Sequence, residues 1–183
     1  YTSFATAGAA QPSPIAVDHA ATERKLRQGQ TGFSILRNAI YAELLLATLP
    51  VACRSGQLPC AQGRGRMTLV ARADCAAAAA AALVDGFDGR RVLSVAGDEA
   101  LDAHALASLA SEVLGTRIEA LETPPDQLEA AWRKCGALPG MASVFAGMDR
   151  STGKGEMEIP VSDLREVLRA LPGLTPMGMR EFL

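Results

Sequence analysis

The sequence has no excess of positive charge, no apolar run long enough to cross a membrane and no cluster of cysteine and histidine, and each absence removes a class of function. Its 18 Lys and Arg stand against 20 Asp and Glu for a net charge of −2, and the arginines are scattered. No basic stripe therefore offers itself to a phosphate backbone, and non-specific nucleic-acid binding is not expected. The longest small-residue run, "CAAAAAAALV", is too short for a span and follows Asp74, so it reads as a helix with Asp74 as its N-cap, and no membrane partner is expected. No charged segment followed by an apolar one opens the chain, whose first residue is Tyr1 rather than Met, so no secretory leader is visible. The four cysteines, Cys53, Cys60, Cys75 and Cys135, make no C-x-x-C pair, and His19 and His104 are too remote to complete a metal motif. They read as reduced, mostly buried thiols of a cytoplasmic protein, and no metal is expected.

A glycine-rich phosphate turn is missing too. Only glycine lets a backbone close on a pyrophosphate at a helix N-terminus, and the signature of such a turn is a strand, G-x-G-x-x-G and a helix. "GRGR" at Gly63 to Arg66 precedes a strand instead of a helix. "GMDRSTGKG" has five residues between Gly147 and Gly153 where a phosphate loop has four, and Gly155 follows Lys154 where Ser or Thr belongs. Neither is a phosphate cradle.

What is present is 183 residues, 49% of them hydrophobic, enough for a sizeable core, arranged as alternating strand and helix patterns. "YTSFA" reads as a strand, "PIAVDHAATERKLRQ" as a helix begun by Pro14, and "GFSILR" as the next strand, which together make a β-α-β unit. A helix is expected from about Tyr41 to Arg54, then a loop or hairpin through "GQLPCAQGRGR" into the strand "MTLVA". The Ala-rich helix, the strand "RRVLSVAG", a helix over about Asp102 to Leu114 stopped by Gly115, and the strand "TRIEALE" follow. Pro124-Pro125 breaks the chain, and three helices complete it, "DQLEAAWRKCG", "PGMASVFAGM" and "SDLREVLRAL", with a Gly-rich loop "STGKGE" before the last. The alternation predicts an α/β fold with a mostly parallel sheet, divided into 1–123 and a helical region 124–183.

In "FSILRNAIYAE" the apolar run stops abruptly at Arg37-Asn38. Ligands of open α/β sheets are held at the carboxyl ends of strands, so these polar residues are either a site or a solvated loop. Taken together, "YTSF", "PIAVDHAATERKLRQ", "GFSILRNAIYAE" and "ARADCAAAAAAAL", in this order and spacing, resemble the second half of the NmrA-like atypical short-chain dehydrogenases. The NAD(P)H:quinone oxidoreductase and triphenylmethane reductase types are the nearest forms. The resemblance covers nearly all of the chain and is densest from Tyr1 to Leu83. It implies part of a Rossmann-like NAD(P)-binding fold whose N-terminal glycine-rich half is absent, hence a fragment, supplied with a complementary N-terminal half or pairing as a homodimer.

The resemblance also implies roles. Asn38, Ala39, Ile40, Tyr41, Ala42 and Glu43 would pass along the nicotinamide end of NADP, or of NAD, with Arg72 reaching the same place from the next strand. Quinone reductases commonly have Gly-Trp where this chain has Ala39-Ile40, and "RNAIY" is nearer the dye-reductase form. Arg72 is alternatively a helix-cap residue pairing with Asp74. Thr2 and Ser3 take the place of the usual dehydrogenase serine, in contact with nicotinamide or substrate, or else merely cap a loop. His19 and Glu23, four apart on one helix face, stand where Tyr and Lys normally do. An imidazole oriented by a carboxylate is suited to relaying a proton, and a structural hydrogen bond is the other reading. Met141, Phe145 and Met148 recur at i, i+4 and i+7, either as core or as an apolar wall for a flat aromatic acceptor. The implied activity is NAD(P)H-dependent reduction of quinones or related conjugated aromatics, the fragment alone being inactive. The alternative is an NmrA-type redox sensor that binds dinucleotide without turnover.

Overall fold

The computed structural model describes residues 1–8 and 16–183, so Pro14 lies outside the described residues. In chain order the strands are β1 (Thr2–Phe4), β2 (Phe33–Asn38), β3 (Ile40–Tyr41), β4 (Gln57–Cys60), β5 (Met67–Val70), β6 (Arg90–Val95), β7 (Ala100–Leu101) and β8 (Glu119–Glu122). The helices are α1 (Val17–Gln28), α2 (Leu45–Ser55), α3 (Arg72–Val84), α4 (Ala103–Leu114), α5 (Leu128–Lys134), α6 (Pro139–Gly153), α7 (Leu164–Leu168) and α8 (Met179–Phe182). The described residues cluster into two units, each discontinuous in sequence and each drawing on both sides of the 123/124 boundary.

The first unit comprises Tyr1–Tyr41, Thr68–Glu99 and Ile159–Met179. Its sheet has the order β1-β2-β6 and is parallel throughout, with Ser3 beside Arg37, Phe4 beside Asn38 and Asn38 beside Val95. Parallel neighbours require a crossover, and α1 is the one that joins β1 to β2. Leu36, Val70 and Val95 form a core with Ala78 and Ala81 of α3 and with Leu164, Val167 and Leu168 of α7. The alanines explain the close approach, since a methyl side chain keeps the helix backbone near the sheet. Residues Ile40 and Tyr41 pair in parallel with Leu69 and Val70.

The second unit comprises Ala42–Met67, Ala100–Glu158 and Arg180–Leu183. There β4 pairs in parallel with β8, Gln57 beside Glu119 through Cys60 beside Glu122. Trp132 of α5 packs edge-on against Phe145 of α6 with ring centroids 4.8 Å apart. Helix α4 is bounded as its sequence demands: Asp102 caps Ala105 N–H at 2.8 Å, and Gly115 closes it in the left-handed conformation at φ 62°.

Four local expectations are corrected. Tyr41 ends a short strand instead of opening a helix, and a 3₁₀ turn over Ala42–Leu44 precedes α2. The segment before β5 is not a hairpin arm, because β4 takes β8 as its partner. Gly65 owes its place to packing, since a Cβ there would lie 2.3 Å from the Thr152 carbonyl oxygen. Asp74 is not the N-cap of α3 but the third residue within it, where its carboxylate accepts from Met177 N–H at 2.9 Å. The "STGKGE" stretch is helical through Gly153, so α6 is longer than its apolar stripe. Among the described residues no helix is long and apolar enough to cross a membrane.

Candidate functional site

The carboxyl ends of β1, β2 and β6 set the place where an α/β sheet holds a ligand, and the polar residues there are built from opposite sides of the strands. Ser3 and Arg37 are register neighbours and turn toward α1. Ser3 Oγ donates to Glu23 Oε1 at 2.7 Å, Arg37 Nε and Nη2 donate to the two carboxylate oxygens at 2.9 and 2.6 Å, and Arg27 Nη2 adds a bond of 2.8 Å. Glu23 is 1% exposed. Burial alone would raise its carboxyl, but the hydrogen bonds from Arg37, Ser3 and Arg27 outweigh that and hold it down at about 2. An ionised carboxylate has no hydrogen to give, so the hydrogen between Ser3 and Glu23 belongs to Ser3 and is already committed.

His19 is placed differently. Its Nδ1 meets the Tyr1 hydroxyl at 2.9 Å, and its ring is half-buried. The described hydrogen bonds of Glu23 come from Ser3, Arg27 and Arg37, so the structure does not use Glu23 to orient the imidazole. Thr2, one residue before Ser3, points the other way and is exposed.

Asn38 follows Arg37 and is 3% exposed. Its Nδ2 donates to the Tyr41 hydroxyl at 3.4 Å, while its Oδ1 is buried with no hydrogen-bond partner among the described residues. Leaving a buried carbonyl unmet costs roughly 1–3 kcal/mol, which makes this oxygen a candidate ligand contact. Over the ring of Tyr41 lies the Arg72 guanidinium, 5.3 Å from the centroid, brought there because β5 pairs with β3 and Arg72 begins the helix that follows. Ala39 is buried and its N–H is taken by the Val95 carbonyl at 2.8 Å. Ile40 is buried; Ala42 is buried and Glu43 half-buried in the second unit. A Cβ on Gly97 would meet the Leu69 carbonyl oxygen at 2.2 Å, so the chain after β6 needs glycine to run this close to β5.

In the second unit Phe145 is core, and Met141 and Met148 of the same helix are half-buried. The four cysteines are free thiols, Cys60 and Cys75 buried and Cys53 and Cys135 half-buried. Burial pushes the Cys60 thiol up to about 12, with the charges of Glu122 and Asp149 adding to the effect, so it is no nucleophile at neutral pH.

No family model matches the chain. Over 144 residues it is 31% identical to quinone oxidoreductase 2 of Escherichia coli (strain K12), a match that covers 79% of this chain and 50% of that protein. Over 177 residues it is 31% identical to an NmrA-like family domain-containing oxidoreductase of Aspergillus flavus, covering 92% of this chain and 56% of that one. The chain is a homologue of the NmrA-like oxidoreductases. It spans about half the length of the curated relatives it matches. Among solved structures, the NADPH complex of the Escherichia coli NADPH-dependent quinone oxidoreductase superposes with a TM-score of 0.81 at 30% identity, over 100% of this chain and 62% of that one. The Citrobacter sp. triphenylmethane reductase with NADP(H) gives 0.84 at 24% identity, over 99% and 62%, which is a likeness of fold. The α/β fold of this chain, with its parallel sheets, matches the NAD(P)-binding Rossmann-like fold of that quinone oxidoreductase.

Sequence reasoning brought out Asn38, Tyr41 and Arg72, which the structure brings together, and noticed Arg37 at the strand end without its pairing to Glu23. The signal for Arg37 was there: a charge within a strand whose neighbours Ile35 and Leu36 are apolar needs a buried counter-charge, and Glu23 is the acidic residue of the facing helix that supplies it.

Proposed function

We propose that the protein is an NAD(P)H-dependent reductase that passes hydride to quinones or related conjugated aromatic acceptors, NADPH being the favoured donor. The observation that supports it is the buried, unmet Oδ1 of Asn38 at the carboxyl end of β2, beside Tyr41 and under the reach of Arg72. The Asn38 carbonyl is an acceptor that fits the N–H of a nicotinamide carboxamide, with the Arg72 guanidinium toward the ribose and the Tyr41 phenol left for the hydride acceptor. The relatives named for quinone reduction and for NADPH agree with that fit. When bound, the dinucleotide supplies the hydride.

The chain's own residues divide the remaining work. Asn38 and Ala39 hold the nicotinamide end, Ile40 continues its wall, and Arg72 steadies the Tyr41 ring. Thr2 is the exposed hydroxyl of β1 that contacts the bound molecules, and Ser3, its hydrogen committed to Glu23, offers lone pairs only. In the second unit, taken by itself, Met141 and Met148 form an apolar, adaptable face suited to a flat aromatic ring, with Phe145 packed on Trp132 behind them. A quinone that has taken hydride needs one proton. Glu23 has none to give and Ser3's is committed, which leaves His19 and Tyr41.

Steady-state assays of the chain together with a complementary N-terminal half, using NADPH and a benzoquinone, test the proposal. NADPH oxidation that saturates in both reactants is expected. Saturable NADPH binding without turnover on any quinone or triarylmethane dye would replace it with the dinucleotide-sensing reading.

A further inference from the structure

Tyr41 is the side chain in this site whose hydrogen has no taker. The one hydrogen bond described for its hydroxyl comes from Asn38 Nδ2, 3.4 Å away, and in that contact the phenol oxygen accepts. A phenol has one hydrogen to donate besides, and no hydrogen bond donated by it is found among the described residues. Every other candidate is differently placed. The Ser3 hydrogen is held by Glu23 at 2.7 Å, Glu23 is ionised between Arg37 and Arg27, and His19 Nδ1 faces the Tyr1 hydroxyl. The ring of Tyr41 is also fixed. It ends β3, which pairs with β5 in the register Tyr41 beside Val70, and Arg72 lies across its face. An oriented phenol with an uncommitted hydrogen, beside a buried unmet carbonyl, is the arrangement of a donor waiting for an oxygen.

From this we infer that Tyr41 is the catalytic acid of quinone reduction, giving its hydroxyl hydrogen to the quinone oxygen that becomes negatively charged as hydride arrives. The inference rests on the reductase reading. The balance is simple. Hydride brings two electrons and one hydrogen to the quinone, Tyr41 brings the proton that completes the hydroquinone, and water returns a proton to the phenolate. Asn38 Nδ2 is then a positioning group, donating to the same oxygen in both states. Arg72 is a second one, its cation set against the electron-rich face of the ring.

The test compares two acceptors with the same enzyme. A cationic triarylmethane dye takes hydride at its central carbon and becomes neutral with no proton added, whereas a benzoquinone needs the proton. The ratio of kcat on quinone to kcat on dye therefore isolates the acid. In Tyr41→Phe this ratio should fall by roughly 10²-fold, the usual cost of removing a general acid. The Kd for NADPH should stay within about threefold, because the ring under Arg72 is kept. His19→Gln should leave the ratio near its wild-type value, and Asn38→Asp, which offers the phenol a carboxylate to donate to, should lower it as Tyr41→Phe does. An unchanged ratio in Tyr41→Phe overturns the inference whatever His19→Gln does, and leaves the reductase reading standing. Absence of turnover on both acceptors in the wild-type protein would instead remove the reading and the inference together.

Discussion

At the scale of single residues, the Glu23 carboxylate is the group on which most of the first unit's polar order depends. Two guanidiniums and a hydroxyl converge on it in a setting 1% exposed. Removing one partner of such a cluster strands the others, and Glu23→Ala is expected to destabilise the fold by about 3 kcal/mol in urea melts at neutral pH. The pH dependence follows from the sign of the shift. The folded value, about 2, lies below the ordinary 4.5, so the stabilisation is present above pH 4.5 and is lost as pH falls through 2. Gly8 belongs to the same cluster, since a Cβ there would sit 2.1 Å from Arg37 Nη1. The guanidinium is tied to Glu23 by two bonds and cannot swing away without breaking them, so Gly8→Ala should cost about 1–2 kcal/mol by the same melts. The i, i+4 spacing of His19 and Glu23 was legible from the sequence, but spacing along one helix says nothing about partners contributed by β1 and β2, and those partners decide what each residue does.

At the scale of elements, α6 and the β4–β5 connection show how a buried charge joins pieces far apart in sequence. Asp149, on α6, accepts from the Ala61 N–H just after β4. Burial pushes its carboxyl up to about 6, the Ala61 hydrogen bond pulling the other way and the Glu122 charge adding to the rise. Its sign is opposite to that of Glu23. The native state binds the proton more tightly than the unfolded chain, so the second unit gains stability as pH is lowered from 7 through 6. The gain is on the order of 1–3 kcal/mol and should be missing from Asp149→Asn, which keeps a carbonyl for Ala61 without the charge; thermal melts at pH 5 and 7 measure it. An equal gain in the variant would assign the pH dependence to other groups. The strands β2 and β6 and the helices α3 and α4 were readable, because apolar periodicity and the Asp102 and Gly115 boundaries are local signals. The pairing of β4 with β8 was not, since the two strands are about sixty residues apart and glycines 63 and 65 mimic a hairpin turn.

At the scale of the whole molecule, β1 lies at one edge of its sheet, beside a hollow of about 520 Å³ lined by Leu36, Ala79, Ala82, Leu83 and Phe87. Parallel sheets are ordinarily covered, and Leu83 is 85% exposed. The 183-residue chain by itself is therefore expected to self-associate, or to pair with a complementary half, in sedimentation velocity. A monodisperse monomer would contradict this. The α/β class and the kinship with NmrA-like oxidoreductases were legible because the strand-end segment "FSILRNAIYAE" carries both the apolar pattern and the polar residues of the candidate site. The partners of Asn38 and Tyr41 were not, because they are fixed by the register of β3 on β5. The central claim is that this strand end receives the nicotinamide of NAD(P)H, and a fluorescence titration of the chain, paired with a complementary N-terminal half, with NADPH, beside Asn38→Leu, tests it most directly. Saturable binding is predicted for the wild type, weakened about tenfold or more in Asn38→Leu as the carbonyl contact is lost. Wild-type protein that shows no saturation at millimolar NADPH, or a variant that binds as tightly as the wild type, would contradict it.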